Sequence, residues 1–230
     1  MLEQLKKEVL KANLELMKKN LVIYTWGNVS GISRQDGLIV IKPSGVAYEK
    51  LTAENMVVVD IEGNIIEGQL NPSSDTATHL VLYNNFKDIG GIVHTHSVYA
   101  TSWAQAGMDI PCYGTTHADY FYQDIPCTRI MTIDEVQNKY EENTGIVIVE
   151  KFKNRDYNHT PAVLVSGHGP FTWGKNSEDA LYNSVVLEEV AKLAYNTMLL
   201  NPFIDNCPYY LLNKHFFRRH GKSAYYGQKS

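Results

Sequence analysis

The stretch NVSGISRQDGLIVIK, residues 28–42, decides the fold. Short runs rich in Val, Ile and Ser lie on either side of Asp36-Gly37. That dipeptide closes tight hairpins because both residues tolerate the left-handed backbone such turns demand. The spacing predicts two antiparallel strands, over 29–34 and 38–42. Glu62-Gly63-Asn64 repeats the arrangement between MVVVDI (56–61) and IIEG (65–68). Both flanking runs are enriched in β-branched residues, as a sheet with a buried face requires.

On the N-terminal side, residues 2–19 form an amphipathic helix pattern. Leu2, Leu5 and Val9 share one stripe, Leu10, Leu14 and Met17 lie beside it, and Glu3 with Lys7 is a helix-spaced pair of favourable order. On the C-terminal side the pattern predicts a helix from Ser74-Asp75 to Phe86 and a strand from Gly91 to His94. A helix beginning near Ser97 and another over 134–153 follow. Strands are expected at Ala162–Val165 and Phe171–Trp173, and a long helix over 177–200 with Ser177 as N-cap and Glu178 and Asp179 in its first turn. A last helix covers 208–218. Strands and helices interleave, and no Pro/Gly/Ser-rich linker divides the chain. The expected architecture is one α/β domain over 1–230, with a central mixed, largely antiparallel sheet flanked by helices.

Composition fits this. Of 230 residues, 44% are hydrophobic and 20% charged, which excludes a disordered, collagenous or coiled-coil chain. A net charge of −4 argues against a nucleic-acid surface. No apolar run reaches membrane-spanning length, and the charged, periodic N-terminus is unlike a signal peptide. Three cysteines, Cys112, Cys127 and Cys207, make no disulfide framework. A reducing cytoplasmic location is the expectation.

Eight histidines are many for this length. His94 and His96 follow the strand GIV, and residues two apart on a strand project from one face, so both imidazoles can grip one cation. His168, in SGHGPF, again follows an apolar strand. Three histidines with an open position suit a catalytic zinc site, and Asp75, at a helix start, could complete the shell. A His-x-His at a strand end is also common as plain polar surface. Three segments suit an anion: Gly27-Asn28 in TWGNVS, Ser44-Gly45 in KPSGV with Lys42 beside it, and Ser73-Ser74 before a helix. Each also has an ordinary reading as a turn or an N-cap. Nucleotide-binding glycine patterns are missing from the sequence. Asp119, in TTHADYFY, is an acid–base candidate, and the C-terminal HGKSAYYGQ places two tyrosines in a polar tail.

Taken together, TWGNVS, IKPSGV, PSSDTATH, GGIVHTHS, WAQAG, GTTHADYFY, PCTR, GHGPF, WGKN, VLEEVA and HGKSAYYGQ closely resemble the class II aldolase/epimerase family, specifically its sugar-phosphate epimerases. The resemblance runs from the first helix to the tail. It implies a divalent metal, usually zinc, on His94, His96 and His168 with Asp75 in or beside the shell. It implies a phosphate against Gly27, Asn28, Ser44, Gly45, Ser73 and Ser74, with Lys42 at the substrate. Asp119 would be one acid–base group. Tyr226 would be the other, reaching in from a neighbouring subunit, with His215 on that same side. The implied assembly is a homotetramer with a site at each interface, and the implied substrate a phosphorylated sugar. The implied reaction interconverts L-ribulose 5-phosphate and D-xylulose 5-phosphate by C3–C4 cleavage and re-addition. Arabinose and ascorbate catabolism both use it. The alternative is an aldolase cleaving a ketose phosphate such as L-fuculose 1-phosphate. Aldolase relatives carry Glu, one methylene longer, where Asp75 stands, which favours the epimerase.

Overall fold

A computed structural model of the chain describes residues 2–221 and 224–226. The central hairpin is β1 (Asn28–Ser33) and β2 (Leu38–Ile41), paired antiparallel with Ser33 opposite Leu38. The second is β3 (Val57–Asp60) with β4 (Ile65–Glu67). Three further strands, β5 (Gly91–His94), β6 (Ala162–Val165) and β7 (Gly169–Gly174), complete a seven-stranded sheet in the order β4-β3-β2-β1-β5-β7-β6. Every pairing between these strands is antiparallel, so the largely antiparallel sheet expected from sequence is antiparallel throughout. The helix after β4 carries the chain back from the sheet edge to lay β5 against β1, running in the opposite direction.

The helices are α1 (Leu2–Lys18), α2 (Thr76–Asn85), α3 (Val98–Ala106), α4 (Thr115–Ala118), α5 (Ile133–Gln137), α6 (Tyr140–Lys151), α7 (Ser177–Leu200) and α8 (Tyr209–His220). Strand alternation sorts them onto two faces. Ile39, Ile41, Val57, Val59, Ile92, Val163 and Val165 pack with Leu82 of α2 and Ile148 of α6 and with Phe86 and Phe152, which cap the ends of those helices. Val29, Val40, Val58 and Val93 face the other way, onto Val9, Ala12 and Leu16 of α1 and Ala180 of α7. Ala162 and Leu164 meet α3 and the rest of α7. Burying each such Val or Ile contributes about 1.5–3 kcal/mol, so a one-residue slip in register would forfeit several of these at once.

Two helix expectations are corrected. The helix expected over 134–153 breaks at Asn138-Lys139. Thr132 caps α5 through a reciprocal pair with Glu135, and Lys139 takes a left-handed φ of 55° before α6 starts. The N-cap of α7 is Asn176, which accepts from the Asp179 amide, and Ser177 is the first helical residue. The short α4 had no periodicity long enough to read.

Gly145 lets α6 lie directly on α2. A Cβ there would stand 2.6 Å from Val81 Cβ and 3.1 Å from the Thr78 carbonyl. Alanine gains about 1 kcal/mol of helix propensity over glycine. Overpacking against backbone and a β-branched side chain costs about 1–3 kcal/mol. Gly145→Ala is therefore expected to lower stability in chemical denaturation, the reverse of the usual helix substitution.

Candidate active site

The segments singled out by the motifs converge on one edge of the sheet. There β1 begins, β2 and β5 end, and α2 and α6 present their N-terminal ends. Between them lies a cleft of about 410 Å³ lined by Gly27, Asn28, Lys42, Ser44, Gly45, Ser73, Ser74, Asp75, His94, His96 and His168, together with Thr25, Trp26, Pro43, Tyr140 and Glu141.

The three histidines form a tight group. One ligand atom from each lies within 4.8 Å of the others, and His94 Nε2 is 3.1 Å from His96 Nε2. His94 ends β5 in register with Phe171 of β7, whose ring stacks on it at 4.2 Å. Its Nδ1 is 2.9 Å from the Pro170 carbonyl, which can only accept, so Nδ1 carries the proton and Nε2 turns a lone pair to the cluster. Burial, then the neighbouring rings, pushes His96 down to about 4 and His168 down to about 3. Near neutral pH both are uncharged, as cation ligands must be. Three converging imidazole donors of this kind fit a divalent metal ion.

Asp75, the N-cap residue of α2, lines the same cleft without belonging to the 4.8 Å histidine group. Its Oδ2 accepts from Asn28 Nδ2 at 2.6 Å. Burial raises its pKa, but His94, His79 and the Asn28 amide outweigh that and hold it below the usual carboxylate range. Asn28 Nδ2 also donates to Ser73 Oγ at 3.0 Å, which spends its donors. Asn28 Oδ1 is buried without a hydrogen-bond partner among the described residues. The Asn28 side chain thus offers the cleft an acceptor, suited to a hydroxyl or a cation rather than to a phosphate oxygen.

Gly27 has φ +74°, and a Cβ there would come within 2.7 Å of the His94 carbonyl. Only glycine lets the TWGNVS turn press against the strand that carries the metal-site histidines. Lys42 is buried, with its ammonium 3.3 Å from the Pro43 carbonyl and 5.0 Å from the Tyr48 ring. Burial pushes it down to about 8. Among the described residues no carboxylate pairs with it, so the site holds a cation awaiting an anion.

The remaining candidates lie elsewhere. Asp119, just after α4, binds α8: its carboxylate accepts from Arg218 Nη2 at 2.8 Å and Nε at 3.1 Å, and meets His215 Nδ1 at 3.0 Å. Burial raises its pKa, but Arg218 and His215 outweigh that and hold it low. Tyr226 packs under the same guanidinium, with Arg218 5.0 Å and Arg219 4.4 Å from its ring centroid. Tyr120, Arg219 and His220 border a second cleft beside Trp173, Gly174 and Lys175. That is the end of β7 away from His168. Asp119 and Tyr226, expected on opposite sides of a substrate, are here bridged by one arginine. Lys222, Ser223, Gly227 and Gln228 of the tail motif lie outside the described residues.

Sequence reasoning missed Arg218, Tyr140, Glu141 and Trp26. Arg218 joins Asp119 across 99 positions, which no local pattern reveals. The Thr132-x-x-Glu135 capping box marks the start of α5, but it does not reveal the break at Asn138-Lys139 that places Tyr140 at the cleft.

A family model described as the class II aldolase and adducin N-terminal domain matches residues 7–195. Among solved structures, an L-fuculose 1-phosphate aldolase superposes with a TM-score of 0.79 at 25% identity, over 92% of this chain and 94% of that one. The YgbL protein of Klebsiella pneumoniae gives 0.71 at 24% identity, over 93% and 99%. The L-fuculose-1-phosphate aldolase of Thermus thermophilus gives 0.69 at 23% identity, over 88% and 99%. The last two likenesses are of fold.

Proposed function

The chain belongs to the class II aldolase and adducin N-terminal domain family, and on that premise we propose that it is a metal-assisted sugar-phosphate epimerase interconverting L-ribulose 5-phosphate and D-xylulose 5-phosphate. The observation that carries this reading is one cleft holding three clustered imidazoles beside a buried lysine and a serine-lined helix N-terminus. Such a cleft can take a sugar's oxygens at one end and its phosphate at the other.

Position C4 of ribulose 5-phosphate is not adjacent to the carbonyl, so its hydrogen is not acidic and simple deprotonation cannot invert it. Breaking C3–C4 can. The products are glycolaldehyde phosphate and the enediolate of dihydroxyacetone; the aldehyde turns, and the bond re-forms on its other face. A divalent cation, zinc in this reading, held by His94, His96 and His168 supplies electrophilic stabilisation of the negative charge on the ketose oxygens, worth several kcal/mol. Lys42, Ser44, Gly45, Ser73 and Ser74 anchor the phosphate, which keeps the aldehyde fragment from leaving while it turns. Asn28 Oδ1 accepts from a sugar hydroxyl.

Proton transfer at the C4 oxygen falls to Asp119 and Tyr226. Because Arg218 holds both residues in one unit, with His215 on Asp119, away from the cleft residues of their own chain, a neighbouring copy brings the whole unit to this site. The implied assembly is a homotetramer. This revises the division expected from sequence, in which only Tyr226 and His215 crossed the interface. The test is a coupled assay on L-ribulose 5-phosphate and, separately, a cleavage assay on L-fuculose 1-phosphate, each before and after chelation. Epimerisation lost on chelation supports the reading. Net cleavage of the fuculose ester without epimerisation replaces it with the aldolase alternative.

Lys42 supplies a pH prediction. Its ammonium is present below about 8 and lost above it. A phosphate monoester is a dianion above about pH 6. In the free enzyme, kcat/KM should therefore fall as pH rises past about 8, through KM rather than kcat, since a bound phosphate stabilises the charged form. Lys42→Met should have low kcat/KM and lack that limb.

A further inference from the structure

Tyr140 is the first residue of α6, and its phenol oxygen lies 3.3 Å from His168 Nδ1. We infer that Tyr140 is a positioning residue for the metal site: its hydroxyl accepts from His168 Nδ1–H and so turns the Nε2 lone pair of His168 toward His94 and His96. The inference rests on the metal-centre reading above.

A histidine that binds a cation through one nitrogen needs the other protonated and aimed. Among the described residues His94 has that partner in the Pro170 carbonyl. His168 sits on the turn between β6 and β7, where the Gly167 backbone has φ +74°, so its backbone alone does not fix the ring. Tyr140 supplies what the turn lacks. It lies beside His168, with ring centroids 6.0 Å apart.

The phenol itself stands on a rigid base. Asn143 Nδ2 donates to the carbonyls of Glu135 and Asn138, which pins the α5–α6 corner. Thr78 Oγ1 donates to the Glu141 carbonyl, which ties that corner to α2. The helix break at Asn138-Lys139, unexpected from periodicity, is what places Tyr140 at the cleft. With its oxygen accepting from His168, the phenol hydrogen is left to donate into the cleft.

The experiment compares full-length wild-type, Tyr140→Phe, His168→Ala and the double variant. Each is titrated with Co²⁺ by its absorption spectrum and with Zn²⁺ against a competing chelator. Tyr140→Phe removes one oxygen and keeps the ring. It should bind metal about 10–100-fold more weakly and shift the Co²⁺ absorption bands, at unchanged circular dichroism and apo-protein melting temperature. In the His168→Ala background, which keeps two of the three donors and binds Co²⁺ only weakly at high concentration, the same substitution should change that residual affinity less than twofold. Wild-type affinity and an unshifted Co²⁺ spectrum in Tyr140→Phe would overturn the inference, as would an equal loss in the His168→Ala background. If Tyr140→Phe melts early, the double-variant comparison still separates the two roles, since a packing defect weakens both backgrounds alike. A wild-type protein that binds neither ion would instead overturn the metal-centre reading.

Discussion

His96→Ala should lose divalent-metal binding and turnover together. The side chain contributes one of three clustered donors and is partly exposed in the cleft, with the rings of Trp26, His94 and His168 beside it. Its hydrogen-bonding neighbour, His94 Nε2, faces the cleft, where water can take its place, so stability should change little. Electrophilic stabilisation worth several kcal/mol corresponds to a fall in turnover of about 10³-fold or more. Equilibrium dialysis gives the metal content, and the coupled assay gives the rate. Full activity in a metal-stripped His96→Ala protein would end the metal's role. Unfolding on chelation of the wild-type protein would point instead to a structural ion.

The second large effect is recovery of activity from two inactive variants. Tyr226→Phe removes a proton donor in one unit, and His96→Ala removes the cation from the other. Each homogeneous protein should be nearly inactive. If every site takes its histidines from one copy and its tyrosine from the next, random mixed tetramers restore about a quarter of the sites. Subunit mixing by co-expression, followed by the epimerase assay, reads this directly. No recovery would mean that Tyr226 serves its own chain's cleft or none. Deleting the last six residues should give the Tyr226→Phe phenotype with the fold intact.

Much of the fold was legible because a sheet with two covered faces writes itself as short unbroken β-branched runs, whose alternate residues enter opposite cores. Ile39, Val40 and Ile41 carry that pattern, and Val57, Val58 and Val59 do so without any polar residue, since both faces are buried. The hairpin turns at Asp36-Gly37 and Glu62-Gly63-Asn64 lie where glycine and its polar neighbours indicated. Strand direction between β1 and β5 was not legible, because it depends on how the chain returns through α2 rather than on any local preference.

The cleft residues were legible for a related reason. His94 and His96 sit at a strand end, and Ser73 and Ser74 precede a helix, so local rules expose them. What those rules missed is long-range. Nothing near Asp119 announces that Arg218 and His215 will hold it, and nothing near Lys42 announces that no carboxylate will. The Asn28 amide was read as a phosphate contact, but Asp75 and Ser73 take its donors and only its acceptor faces the cleft. That distinction depends on three segments meeting, which sequence spacing does not contain.

The most direct test is to incubate the metal-loaded protein with L-ribulose 5-phosphate labelled with ¹³C at C4 and follow it by NMR. The expected result is a single new signal, that of D-xylulose 5-phosphate, growing to an equilibrium mixture with no free glycolaldehyde phosphate, and no new signal when the protein is chelated beforehand. Steady accumulation of glycolaldehyde phosphate, or an unchanged spectrum at every metal concentration, would contradict it.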